Sequence, residues 1–163
     1  MKLSKEMFEL LNEQVRNEFG AAYLYLSMAA DFESKGFNGF SNWMKLQAQE
    51  ETEHAMKIYG YMNERGAKVK LLAMSEPQSS WSSCLNAFKD ALGHEQKVTA
   101  QINHIFESAQ KEKDYATMSF IKWFVDEQVE EESNAEGIIE KFEFLGEDKK
   151  ALYMLDKELG QRQ

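Results

Sequence analysis

The chain has 163 residues, room for one domain of ordinary size and too few for a second independent core. One proline and nine glycines exclude collagen-like and low-complexity chains, and a hydrophobic share of 43% excludes disorder. Nineteen basic against 28 acidic residues leave a net charge of −9, which disfavours nucleic-acid and anionic-membrane partners and favours cations. Cys84 is the one cysteine, so an internal disulfide and a Cys-based zinc pattern are both ruled out, and the chain reads as cytoplasmic. The opening MKLSKEMFELLNEQ lacks the apolar stretch of a signal peptide. The longest nearly apolar run, Ala21 to Ala30, is half of the roughly 20 residues a membrane-spanning helix needs.

Apolar residues recur at three- and four-residue steps, which predicts helices throughout. The first runs from about Ser4, a candidate N-cap, to Ser34, with Gly36 as its stop. The second starts near Asn38 or Gly39 and ends at Gly66. A third opens at Ser82 or Ser83 and ends near Lys111; a fourth runs from about Tyr115 to Leu145, stopped by Gly146. A shorter fifth fits Asp148 to Leu159. Short links make helices one and two, and helices three and four, antiparallel hairpins. The 17 residues from Gly66 to Ser82 contain the only proline, Pro77, and reach about 55 Å when extended, more than the roughly 40 Å of a 27-residue helix. That linker can cross the whole bundle and set helix three parallel to helix two, giving an all-α four-helix bundle with one long crossover.

Writing out the inward stripes exposes a conflict with core formation. Helix one presents Leu11, Val15, Glu18, Ala22 and Tyr25; helix two presents Phe40, Met44, Gln47, Glu51, His54 and Ile58. Helix three presents Leu85, Phe88, Leu92, Glu95, Thr99, Ile102 and Phe106; helix four presents Ile121, Phe124, Gln128, Glu131, Ala135, Ile138 and Phe142. Each stripe carries ionisable or amide groups near its middle with apolar residues on both sides. Glu18 to Glu51 is 33 residues and Glu95 to Gln128 is also 33, so the two hairpins present Glu then Glu-x-x-His, and Glu then Gln-x-x-Glu. Lys45/Lys122, Glu50/Glu127 and Glu53/Glu130 match in the same register, as an internal repeat of one hairpin would require.

Buried carboxylates cost several kcal/mol each unless protonated, paired or bound to cations, and the four stripes carry no Lys or Arg. Glu18, Glu51, Glu95 and Glu131 bring four negative charges, which two divalent ions would neutralise. Oxygen and imidazole ligands suit iron, with Mn or Zn able to use the same groups. The expectation is a dinuclear site in which Glu51 bridges, Glu18 and His54 complete one metal, and Glu95 and Glu131 hold the other.

With those residues in place, the chain resembles the prokaryotic non-haem ferritins over essentially its full length, from NEQVRNEFGAAYLY through QAQEETEH and FIKWFVDEQVEEE to ALYMLDKEL. The resemblance implies a ferritin-like fold and a ferroxidase centre that oxidises Fe(II) with dioxygen or hydrogen peroxide. It also implies storage of Fe(III) as mineral inside a homo-oligomeric shell of 24 subunits. Bacterioferritins repeat Glu-x-x-His on the fourth helix and carry a haem-ligating Met beside the second-helix Glu. Here those positions are Glu131 and Thr52, so haem is not expected. A third iron site of the family matches Glu50, Glu127 and Glu130 with Glu131 shared; a solvated acidic face is the alternative for these residues. The family match of Tyr25 sits beside the dinuclear centre and makes it a candidate electron donor. Trp123 could share that role, but reads first as core packing. Gln128 stands where repeat symmetry would place Glu and is expected to hydrogen-bond a ligand rather than bind metal.

His94 and His104 read as surface residues, Met28, Met56 and Met62 as core or interface filler, and Cys84 as a thiol without a catalytic partner. Two rivals remain at this stage. One is a small di-iron oxidase or peroxidase that stores no mineral; the other is a structural bundle whose buried polar groups bond one another. A DNA-protecting mini-ferritin fits less well, because all the candidate ligands lie within one chain.

Overall fold

In the computed structural model, which describes residues 2–163, the chain forms five helices: α1 (Lys5–Ser34), α2 (Asn38–Glu64), α3 (Cys84–Glu112), α4 (Tyr115–Leu145) and α5 (Lys149–Leu159). Side chains cap four of the starts. Ser4 accepts from the Met7 amide, Ser83 from Asn86, Asp114 from Thr117, and Asp148 from Lys150 and Ala151. Helix α2 has no cap of its own, since Phe37 stands at that position. Asp156 of α5 supplies it, accepting from the Phe40 amide at 2.9 Å. Gly36 adopts φ +83° and Gly146 +79°, left-handed conformations that end α1 and α4 with no Cβ penalty.

Contacts at the bundle ends give the topology. Ser4, before α1, donates to Glu112 at the end of α3, so those helices run antiparallel. Arg65, after α2, forms a two-pronged ion pair with Asp114 before α4, at 2.9 and 3.1 Å, so α2 and α4 are antiparallel and α2 and α3 parallel. The long link runs the length of α1. Buried Asn12 exchanges two hydrogen bonds with the Lys70 backbone at 2.8 and 2.9 Å, Ser27 donates to the Gln78 carbonyl, and Asp31 accepts from the Trp81 amide. The architecture is the expected four-helix bundle with one crossover and a short fifth helix. Among the described residues no helix is long and apolar enough to cross a membrane.

The core falls into two apolar blocks. One gathers Phe32, Phe40, Phe88, Phe142 and Trp43 near the α5 end; the other gathers Met7, Leu11, Ile58, Met62, Ile102 and Phe124 near the opposite end. Burial of this kind stabilises by about 25 cal/mol per Å² of apolar surface. Helix α3 is rotated from the stripe expected of it. Ala87, Ala91, Val98 and Ile105 are buried, whereas Leu85, Leu92, Thr99 and Phe106 are half-buried at its flank. Phe88, Glu95 and Ile102 of the expected stripe are buried as well, so the rotation is partial.

Candidate metal centre

A polar belt separates the two apolar blocks. Glu18, Glu51, Glu95 and Glu131 are 1 to 5% exposed, and His54 is 5% exposed. All four long helices contribute, because each places its acidic residue at mid-length. Glu18, Glu51 and His54 offer ligand atoms within 4.8 Å of one another, and so do Glu51, Glu95 and Glu131. Glu51 therefore belongs to both groups.

Three glutamines surround the carboxylates. Gln14, one turn before Glu18, donates to it at 2.9 Å. Gln47, one turn before Glu51, donates to Glu131 at 2.7 Å and to Glu51 at 3.3 Å. Gln128 donates to the Glu95 carboxylate at 3.1 Å and to its backbone carbonyl at 3.2 Å. The Tyr25 hydroxyl donates to the other Glu95 oxygen. These amides steady the carboxylates without adding charge. Glu18 Oε2 is buried with no hydrogen-bond partner within reach.

The electrostatics follow from burial and crowding. Burial pushes the Glu18 carboxyl well above its ordinary range, with Glu51 adding repulsion and Gln14 opposing it. Burial, then Glu95 and Glu131, raise Glu51 in the same way. Glu131 is pushed up to about 7 by burial and then by Glu95. Tyr25 is raised by burial and by Glu95, so its phenol stays protonated. A pocket of hard oxygen donors with one imidazole, short of positive charge and holding an unsatisfied carboxylate oxygen, has the donor chemistry for divalent cations such as iron.

The remaining candidates divide. Glu127 is half-buried and groups with His54 and Glu131, its carboxylate 3.9 Å from His54 Nε2. Glu50 turns the other way into an ion pair with Arg162 at 2.5 Å, and Glu130 is exposed. Trp123 is 36% exposed at the edge of the bundle, not in the core. It lies edge-on to His54, with the Lys57 ammonium 3.5 Å above its ring, because the neighbouring Phe124 takes the inward position. His94 is half-buried rather than a surface residue. It meets the Tyr25 ring edge-on, its Nδ1 has no partner, and burial lowers its pKa. His104 is exposed. Met28 and Met62 are fully buried, while Met56 is 50% exposed. Burial, then Glu147, push the Cys84 thiol up to about 11, far from a reactive thiolate. Sequence reasoning missed Gln14 and Arg162. The first was visible as a second polar residue on the α1 stripe; the second left no signal, since it reaches α2 from beyond α5.

Comparison with known proteins gives the class. The ferritin-like domain profile of the ferritin family matches residues 8–145, and the chain belongs to that family. It is 47% identical over 160 residues to the bacterial non-heme ferritin of Staphylococcus aureus strain USA300, covering 98% of this chain and 96% of the relative. The non-heme ferritin of Staphylococcus haemolyticus is 44% identical over the same shares. Among solved structures, an open pore ferritin from the hyperthermophilic archaeon Archaeoglobus fulgidus superposes with a TM-score of 0.98 at 52% identity, covering 99% of this chain and all of that one.

Proposed function

We propose that this protein is a cytoplasmic iron-storage ferritin that oxidises Fe(II) at the polar belt and deposits Fe(III) as mineral inside a shell of 24 copies. Fe(II) is the substrate, and dioxygen or hydrogen peroxide the electron acceptor. The observation that carries the proposal is the meeting of four buried carboxylates and one imidazole from four helices, with Glu18 Oε2 left unsatisfied. Family membership and the similarity to bacterial non-heme ferritins support it.

Glu18 and His54 would hold one Fe(II), Glu95 and Glu131 the other, with Glu51 shared between them. Glu18, Glu51 and Glu131, whose carboxyls burial and crowding raise, release protons as the ions enter, since their neutral forms are favoured only while the belt is empty of cations. Gln14, Gln47 and Gln128 then keep the carboxylates in place, and Tyr25 keeps a hydroxyl on Glu95 as a candidate electron donor. Each Fe(II) gives up one electron. The pair converts dioxygen and two protons to hydrogen peroxide, or hydrogen peroxide and two protons to two waters. A third ion would sit beside Glu127 and Glu131; Glu50 joins it only by leaving Arg162, and Glu130 only by turning inward.

The test is anaerobic Fe(II) titration followed by aeration, with particle size measured on the same sample. Two ions bound per chain, fast oxidation and a hollow particle are expected. A variant carrying Glu51→Ala and His54→Ala should keep the shell and lose rapid oxidation; an unchanged rate in that variant overturns the assignment. A native mass near that of a dimer would favour a di-iron oxidase without storage.

A further inference from the structure

The segment that follows α5 returns to the polar belt. Asp156 fixes α5 against the start of α2, and the Asn42 amide then donates to the Arg162 carbonyl at 3.2 Å. The Arg162 guanidinium lies 4.6 Å from the Trp43 ring centre and donates to Gln47 Oε1 at 2.9 Å and to Glu50 Oε2 at 2.5 Å. Gln47 is 1% exposed, and its amide nitrogen is the group that reaches Glu131 and Glu51.

A carboxamide can present either its oxygen or its nitrogen to a neighbour. A guanidinium only donates, and a carboxylate ionised to bind a cation only accepts, so in the loaded site, with Arg162 on one side and Glu131 on the other, a single orientation of Gln47 satisfies both. The stack on Trp43 and the ion pair with Glu50 hold the guanidinium in the plane this needs. Deprived of Arg162, the amide is free to turn its oxygen toward Glu131, replacing attraction with repulsion.

We propose that Arg162 is a positioning residue for the metal centre, holding Glu131 and Glu51 in their ligating pose by locking the amide of Gln47. The proposal rests on reading the belt as a cation site. It gives an effect of opposite sign to simple charge: deleting a cation near a cation site should tighten binding, whereas losing the lock should weaken it.

The experiment is anaerobic Co(II) titration of the assembled, iron-free protein, followed by visible absorption, with thermal midpoint and particle size as controls. Arg162→Ala and Gln47→Leu should each raise the dissociation constant of one ion about tenfold or more, the usual cost of losing a partner that orients a ligand. The double variant should lose no more than either alone, because both changes break one relay. Unchanged or tighter Co(II) binding in Arg162→Ala overturns the proposal. Should that variant fail to assemble, wild-type affinity in Gln47→Leu overturns it equally. Failure of the unaltered protein to bind Co(II) at the belt would instead refute the metal-site assignment itself.

Discussion

Gln14 stands one helical turn before Glu18 and donates its amide to that carboxylate at 2.9 Å, the neutral donor that opposes the effect of burial on Glu18. Gln14→Leu keeps the volume and removes the donor. Affinity for the ion proposed at Glu18 and His54 should fall about tenfold, the lower end of what an orienting partner contributes. Calorimetric titration with Zn(II) under oxygen-free conditions would measure it, and an unaltered affinity would show that Glu18 needs no such support.

Ion-free protein should become less stable as pH rises. Glu131 is held at about 7 against an ordinary 4.5, and Glu18 and Glu51 are shifted in the same direction. Between those values the folded chain keeps protons that the unfolded chain has released, so the contribution is complete below the lower value and is lost as pH climbs through the upper. Thermal midpoints from about pH 5 to about pH 8 should decline for the empty protein and flatten once Zn(II) is bound. Binding should also release protons, measurable with a pH indicator in weak buffer.

Gly39 admits no side chain. A Cβ there would lie 1.7 Å from the Asp156 backbone oxygen, so Gly39→Ala must push α5 away from α2. A loss of about 1–3 kcal/mol, or more if α5 detaches, should appear in thermal unfolding. Asp156→Ala, which uncaps α2 without a clash, should cost about 1 kcal/mol. A loss for Gly39→Ala below that for Asp156→Ala would argue against the close approach.

Tyr25→Phe removes the hydroxyl that Glu95 accepts and leaves the ring packing intact. Metal affinity should change less than about threefold, because Gln128 still holds Glu95. If Tyr25 supplies an electron during oxidation, a tyrosyl radical signal should appear in rapidly frozen samples of the unaltered protein and be missing from the variant.

Much of this was legible in the sequence because helices write a period of their own. The polar residues that interrupt each apolar stripe, together with the 33-residue spacing shared by Glu18/Glu51 and Glu95/Gln128, mark four helices and the depth of one site. The length of the link before Ser83 marks the crossover, since only a long connection lets α2 and α3 run parallel. What escaped lay in rotation and long-range reach. A few tens of degrees about the α3 axis exchange Leu92 for Ala91 on the buried face, a choice that periodicity alone does not make. Trp123 and Phe124 differ by one position, yet one rims the bundle and the other fills it. Arg162 meets Gln47 across 115 residues of sequence, with no pattern joining them.

The division of the core by the polar belt has a mechanical meaning. Two dry blocks meet at a waist of crowded carboxyl groups that repel one another as they ionise, so with rising pH the middle of the bundle is the plane along which an empty subunit should breathe most readily. An ion lodged there, as proposed, would act as a rivet between the halves. Filling and emptying such a subunit would then stiffen and slacken its own bundle.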